Sequence, residues 1–146
     1  MERMRVSSGS PYEETIGFSR AVRIGERVLV SGTAPVGEDG SVVAPGDAYG
    51  QARRCLAIIE RALDDVGSAL GEVVRTRVYL SDRRAWEGVA RAHAEAFELV
   101  RPASSFVVVA GLLDAGWLVE IEAEAVTAGA PRGAPAGGDP RRAVGP

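Results

Sequence analysis

Lysine is absent from this chain of 146 residues, and all 17 basic side chains are arginine. Without lysine, the protein cannot form the lysine Schiff base of pyridoxal phosphate enzymes or the lysine-containing phosphate loop of many nucleotide hydrolases. The sequence also has no GxSxG motif and no glycine-rich dinucleotide fingerprint. These absences exclude enzymes that depend on a catalytic lysine, a lysine-containing phosphate loop, a GxSxG nucleophile or a glycine-rich dinucleotide motif.

Cysteine and histidine occur once each, as Cys55 and His93. A single cysteine forms no internal disulfide. One cysteine and one histidine are also too few to form a zinc site built from several such ligands. The first residues contain no apolar run of the kind that a signal peptide or a membrane-spanning helix requires. We therefore expect a cytoplasmic protein that does not associate with membranes.

Positive charge and aromatic side chains are also scarce. The net charge is −3 and aromatic residues make up 5% of the chain, so no basic surface for nucleic acid is indicated. Hydrophobic residues at 46% and charged residues at 25% are ordinary for a globular protein. The length suits a single domain with a substantial core.

Hydrophobic periodicity predicts the order strand, strand, helix, strand, helix, strand, strand. A turn at Gly25 separates the first two strands, Asp47 begins the first helix, and Ser81 or Asp82 begins the second, which Pro102 ends. Each helix carries one apolar stripe, so both are expected on one face of a single mixed sheet. This pattern is typical of an α+β fold.

The segment from residue 128 to residue 146 differs in composition from the rest of the chain. It is rich in proline and glycine, which is typical of a flexible tail that buries too little apolar surface to fold. The prediction is a single domain over residues 1–127 followed by this tail.

The stretch "LVEIEAEAV" places three carboxylates on one face of the last strand. The strand "EVVRTRVYL" presents basic and aromatic side chains in the same alternation, and its apolar face is predicted to be Val74, Thr76, Val78 and Leu80. If these strands are neighbours, Arg75, Arg77 and Tyr79 stand across from Glu120, Glu122 and Glu124. A sheet face without helices is large for a monomer, so it favours self-association.

Five segments occur in the order and nearly the spacing of a known family: "VLVSGTAPV", "VVRTRVYLSD", "AHAEAF", "RPASSFVVV" and "LVEIEAEAV". The chain resembles the Rid (YjgF/YER057c/UK114) family over about residues 17–127. The resemblance implies a chorismate-mutase-like α+β fold. It also implies a homotrimer with three small-molecule clefts, each lined by two neighbouring subunits.

The resemblance also implies a chemistry. The best-known members hydrolyse reactive 2-iminoacids and enamines without a metal or organic cofactor, releasing ammonia and a 2-oxoacid. In these members, a glutamate at the start of an "EIEA" motif positions the attacking water, and an arginine in a "PARS" motif holds the substrate carboxylate. The matching positions are Glu120 and Ser104, so the chain resembles a branch that lacks the substrate-binding arginine.

Other cleft positions carry over in the same way. Phe18 matches a cleft tyrosine, Trp86 an aromatic at the start of the second helix, and Phe106 a common cysteine. Arg20 and Arg101 are the candidates to replace the missing guanidinium. For each residue the alternative is structural: a paired surface charge, a surface arginine, or an aromatic packed in the core.

Two functions remain open from the sequence. The first is an enzyme that uses Glu120 as acid and base on a small imine, enamine or carbonyl compound, in hydrolysis, tautomerisation or assisted cyclisation. A role in specialised metabolism fits this hypothesis. The second is a non-catalytic trimer that binds a metabolite or a partner. RNA cleavage, also associated with the family, is disfavoured by the low positive charge. Ser104 as a nucleophile is disfavoured because His93 lies on a helix stripe.

Overall fold

The computed structural model describes residues 1–129, which form an α+β fold with one mixed sheet of six strands and three α-helices. The strands are β1 (Arg3–Val6), β2 (Ala21–Ile24), β3 (Arg27–Thr33), β4 (Val73–Leu80), β5 (Ala103–Val108) and β6 (Val119–Val126). The helices are α1 (Pro11–Ile16), α2 (Ala48–Asp65) and α3 (Trp86–Phe97). The predicted flexible tail lies outside the described residues apart from its first two positions.

The sheet has the order β1-β2-β3-β6-β4-β5. All neighbours are antiparallel except β4 and β5, which run parallel and are connected through α3. A parallel pair needs such a crossover because a short hairpin cannot return the chain to the same end of the sheet. Strand β6, the last in the sequence, lies inside the sheet between β3 and β4 and is antiparallel to both.

Helix α2 begins at its predicted cap, whereas α3 begins four residues after the predicted Asp82. The carboxylate of Asp47 accepts a hydrogen bond from the Gly50 backbone N–H at 3.0 Å, which caps α2. Asp82 accepts from the Arg84 N–H at 2.8 Å and begins a single 3-10 turn that leads into α3. These caps satisfy backbone donors that have no partner inside the helix.

The core lies between α2, α3 and the facing side of the sheet. Ile59 and Leu63 of α2 are fully buried together with Val28, Val78 and Ile121 of three different strands. Burial of each such side chain contributes about 1.5–3 kcal/mol. The predicted placement of both long helices on one sheet face is consistent with this core.

The amino-terminal elements were not predicted. Strand β1 has only four residues, and α1 has six, beginning at the cap Ser10 and ending at Gly17 with φ of 86°. Elements this short contain too few residues to show a period. The structure therefore adds a third helix and a sixth strand to the predicted order.

Val74 was predicted in the core, and this was wrong: its side chain is 46% exposed. The register between β4 and β6 shifts between Val73 and Arg75, so Val73 takes the buried position instead. An extra residue in one strand of an antiparallel pair reverses the alternation on either side of it. Beyond this bulge, Thr76, Val78 and Leu80 are buried as expected.

The face opposite the helices carries the predicted charge pattern. Across β4 and β6, Arg77 pairs with Glu122 in register, and its Nη1 lies 3.2 Å from Glu122 Oε1 and 3.7 Å from Glu124 Oε1. The Tyr79 hydroxyl donates to the same Glu122 oxygen at 2.9 Å. Because these groups are partly exposed, each pair contributes at most about 1 kcal/mol.

Candidate functional site

Glu120 lies in β6, opposite Tyr79 of β4, at the end of the carboxylate stripe. Its carboxylate sits over the backbone of Gly32, so closely that a methyl group at that position would collide with Glu120 Oε1. Gly32 belongs to an irregular part of β3, where the register with β6 shifts between Val30 and Thr33. Glycine in a strand often marks such a close approach.

Arg20, directly before β2, reaches the same glycine. Its Nη2 donates to the Gly32 carbonyl at 2.6 Å, and its guanidinium carbon lies 5.6 Å from the centre of the Phe18 ring. The side chain is only 8% exposed, and its Nε is buried without a hydrogen-bond partner among the described residues. Arg20 and Glu120 therefore meet at one backbone unit from different segments, and Arg20 also contacts Phe18 two residues before it.

The electrostatics of this group follow from burial. Burial raises the pKa of the Glu120 carboxyl above its ordinary value; the nearby Arg20 cation opposes this and Glu122 reinforces it. Burial also lowers the pKa of Arg20, whose charge Glu13 and Glu120 support, yet arginine stays protonated in proteins. A carboxyl group with a raised pKa beside a fixed cation is a candidate for proton exchange with a bound ligand.

Ser104 and Phe106 form a second group on the helix side of the sheet. Ser104 pairs with Thr76 in the parallel register, and the Thr76 hydroxyl donates to Ser104 Oγ at 2.7 Å. The same Thr76 oxygen lies 2.8 Å from Nε2 of His93 in α3, and the Phe106 ring centre lies 5.4 Å from that of His93. Strand β5, which carries Ser104 and Phe106, is exposed along its whole length.

The two groups lie on opposite faces of the sheet. Thr76 faces the helices, whereas Tyr79, three residues later in β4, faces away from them and contacts the carboxylate stripe. Because side chains alternate along a strand, Ser104 follows Thr76 to one face and Glu120 follows Tyr79 to the other. A single protomer does not bring Ser104 and Glu120 together.

Trp86 and Arg101 belong to neither group. Trp86 is the first residue of α3 and is 51% exposed. Arg101 has a φ of 51°, and its Nε donates to the Glu98 carbonyl at 3.1 Å in the turn after α3. Of the two arginines proposed from the sequence, Arg20 is the one beside Glu120.

Sequence reasoning did not identify three residues of these groups as part of a site. It predicts Gly32 within a strand, Thr76 on the apolar face of a strand and His93 on a helix stripe. A glycine between Ser31 and Thr33 in a predicted strand was the available signal for a bulge. The contact between Thr76 and His93 joins a strand to a helix, and no local pattern marks it.

Other surface features do not add to the site. Within residues 1–129, no cluster of three His, Cys, Asp or Glu side chains is arranged to hold a metal ion, and no helix is long and apolar enough to cross a membrane. Two shallow depressions lie on the outer side of α2, lined among others by Ala57, Glu60 and Leu70. Neither includes a residue of the two groups described above.

Comparison with known proteins places the fold in a family. The profile of the Endoribonuclease L-PSP family matches residues 10–127. The chain is 42% identical over 121 residues to an uncharacterized protein of Streptomyces coelicolor, covering 83% of this chain and 90% of that protein. It is 35% identical over 94 residues to the 3-aminoacrylate deaminase RutC of Acinetobacter baylyi, covering 64% of this chain and 74% of that protein.

Solved structures agree. A member of the YjgF/YER057c/UK114 family from Mycobacterium tuberculosis is 46% identical and superposes with a TM-score of 0.77, covering 86% of this chain and 99% of that one. A protein from Thermotoga maritima described as a putative endoribonuclease is 31% identical with a TM-score of 0.73, covering 86% of this chain and 93% of that one. The predicted resemblance is confirmed: the chain belongs to the Endoribonuclease L-PSP family, also named YjgF/YER057c/UK114 or Rid.

Proposed function

We propose that the protein is a homotrimeric enzyme that converts a small imine, enamine or carbonyl compound in a cleft between two subunits. The observation that carries this proposal is the separation of Glu120 from Ser104 on opposite faces of the sheet. A site that uses both groups needs two copies of the chain. Strand β5 is an uncovered edge with apolar side chains, which suits burial against a second copy.

Glu120 serves as the acid and base. In imine hydrolysis, water adds to the carbon of the protonated imine while Glu120 accepts one of the water protons, and Glu120 returns that proton to the nitrogen of the resulting carbinolamine. The C–N bond then breaks with release of ammonia, and the remaining hydroxyl proton passes to Glu120 as the carbonyl group forms. An enamine first takes a proton on carbon from protonated Glu120, which gives the same iminium form. Arg20 supports the ionised state of Glu120 between these steps. The similarity to a 3-aminoacrylate deaminase supports enamine chemistry, since 3-aminoacrylate is itself an enamine.

The substrate in this proposal carries no obligatory free carboxylate. The family arginine that holds such a group is replaced by Ser104, and a hydroxyl cannot form the bidentate ion pair of a guanidinium. Phe18, Trp86 and Phe106 would supply apolar walls, with Arg101 at the rim. The loss of the arginine also favours a second candidate, a trimer that binds such a metabolite without converting it.

The trimer is tested by sedimentation equilibrium at micromolar concentrations, where we expect a single species of three times the chain mass. We expect this because the apolar edge strand β5 and the partly exposed charged face of the sheet become covered only when subunits associate. Phe106→Glu, which places a charge on the exposed strand, is expected to weaken association. A monomer throughout the concentration range would remove the intersubunit cleft and the function built on it.

Hydrolysis of free 2-iminoacids is expected to be slow, because no guanidinium is matched to their carboxylate at position 104. The assay generates the imines with an amino-acid oxidase and follows semicarbazone formation. Ser104→Arg is expected to raise the rate by roughly 10-fold or more, since carboxylate binding also orients the reacting group. Ser104→Arg combined with Phe106→Cys provides more room, and Ser104→Gln is the uncharged control.

Rapid hydrolysis of 2-iminoacids by the wild type that survives both Arg20→Ala and Arg101→Ala would contradict this expectation. In that case the cleft would bind carboxylates without any of the arginines considered above.

A further inference from the structure

The three side chains Ser104, Thr76 and His93 form a continuous hydrogen-bonded chain from the exposed edge strand into the interior. Thr76 is fully buried. Its Oγ1 lies 2.7 Å from Ser104 Oγ and 2.8 Å from His93 Nε2. The His93 ring is held between Phe97 and Phe106, at centre distances of 4.7 and 5.4 Å. Only Ser104, at the outer end of the chain, is exposed.

The direction of this chain determines what Ser104 offers to a ligand. A hydroxyl group has one proton to donate. If Nε2 of His93 carries its proton and donates to Thr76, then Thr76 donates to Ser104, and the Ser104 proton is free for a ligand. If Nε2 lacks the proton, the chain runs the other way and Ser104 presents only lone pairs. The tautomer of His93 therefore selects between an outward donor and an outward acceptor.

The outward donor corresponds to the more stable tautomer of the ring. The two hydroxyl oxygens, 2.7 Å apart, allow donation in either direction, so the state of His93 Nε2 sets the direction. The Nε2–H form is the tautomer that free neutral imidazole side chains prefer. Burial lowers the pKa of His93, so the ring is neutral at neutral pH and no cation stands behind Ser104.

We propose that Ser104 is a directed hydrogen-bond donor for the oxygen of a neutral carbonyl group, a ketone, amide or ester, and that Thr76 and His93 hold it in that role as positioning residues. This inference rests on the proposed function, because it specifies the substrate class for the same cleft. A single neutral donor matches one carbonyl oxygen and provides no charge for a carboxylate. Phe106 follows on the same strand face, so the surroundings of the donor are apolar.

The experiment uses the fact that His93 is the only histidine of the chain. In nitrogen-15 labelled protein at pH 7.5, long-range proton–nitrogen spectra of the imidazole report its tautomer without an assignment step. We expect protonated Nε2 and unprotonated Nδ1. Titration with pyruvamide, a neutral carbonyl probe, is expected to shift the Nε2 resonance, whereas pyruvate at the same millimolar concentrations is expected to shift it at least about five-fold less.

Variants separate positioning from a structural role. Ser104→Ala and Thr76→Val are each expected to weaken pyruvamide binding at least about five-fold, and Thr76→Ser is expected to restore it because the hydroxyl returns. Ser104 is exposed, so its alanine variant reports even if Thr76→Val fails to fold. A protonated Nδ1 with unprotonated Nε2, no pyruvamide binding, or tighter binding of pyruvate would each overturn the proposal.

These readouts do not require turnover. The proposed enzymatic function fails if no imine is hydrolysed, or if Glu120→Gln leaves the activity unchanged. In either case the His93 tautomer and the preference for pyruvamide over pyruvate still decide the role of Ser104. If the enzyme is active but pyruvate binds better than pyruvamide, the donor proposal fails alone.

Discussion

Glu120→Gln is expected to lower turnover of an imine or enamine substrate by roughly 100-fold or more, because the amide can neither accept nor donate the proton that the reaction moves. The wild-type rate is expected to fall on the acidic side of the pH profile at a higher pH than for an ordinary carboxyl group, since burial raises the pKa of Glu120. This acidic limb should disappear in the variant. Steady-state rates across pH, with the assembly checked by sedimentation, test both expectations.

The same substitution is expected to leave stability unchanged or raise it. A carboxyl group whose pKa is raised in the folded state stabilises the fold only while protonated, and this contribution is lost as the pH rises through the folded pKa. At pH 7.5 the ionised Glu120 therefore opposes folding, and glutamine removes that cost. A large loss of stability in Glu120→Gln would show that the carboxylate is a structural partner.

Gly32→Ala tests the position of the carboxylate without removing it. A methyl group at Gly32 meets the end of the flexible Glu120 side chain, so the carboxylate moves while the backbone stays in place. We expect reduced turnover with nearly wild-type stability. Gly71→Ala is the matched control, because a methyl group there has nothing within 4 Å.

Subunit mixing decides whether the cleft is shared. Glu120→Gln and Ser104→Trp are each expected to be inactive as pure trimers, the second because the bulky ring fills the cleft. If Glu120 and Ser104 act from neighbouring subunits, an equal mixture after refolding is expected to recover about a quarter of the wild-type activity, since that share of clefts has both groups intact. Recovery no greater than the sum of the two variants would place both groups in one subunit and contradict the proposed cleft.

Arg23→Met is expected to lower the free energy of unfolding by about 3 kcal/mol. Arg23 is 2% exposed, and its guanidinium donates to the carbonyls of Gly25, Val66 and Gly129 at 2.9 Å and to that of Gly67 at 3.3 Å. Two of these carbonyls end α2, where the negative end of the helix dipole also favours a cation. Methionine keeps the aliphatic volume but leaves the buried acceptors without a donor.

The measurement is urea unfolding at one fixed protein concentration, because an assembled protein unfolds in a concentration-dependent way. Arg27→Met is the control, since Arg27 is an exposed arginine on the neighbouring strand. If both methionine variants lose the same small amount of free energy, the four carbonyl contacts of Arg23 contribute little beyond its packing.

The sequence by itself determined the elements whose signals are local. The alternation in "LVEIEAEAV" predicted β6 with its apolar and carboxylate faces, Asp47 marked the start of α2, and Asp82 marked the 3-10 turn that precedes α3. The placement of arginines across from glutamates also followed from alternation, once β4 and β6 are neighbours, and the pairing of Arg77 with Glu122 agrees with it. The family followed from five short segments in order. All of these depend on residues within one element or on their order along the chain.

The tertiary structure alone decided which side chains meet. Two bulges, at Val30–Thr33 and Val73–Arg75, change the facing of neighbouring residues, and a single added residue is enough to do so. The contacts of Arg20 with Gly32 and of Thr76 with His93 join segments whose distance and register are set by packing of the whole sheet against its helices. Local periodicity carries no information about such register, because shifting a strand by one residue leaves its pattern intact and turns every side chain to the other face.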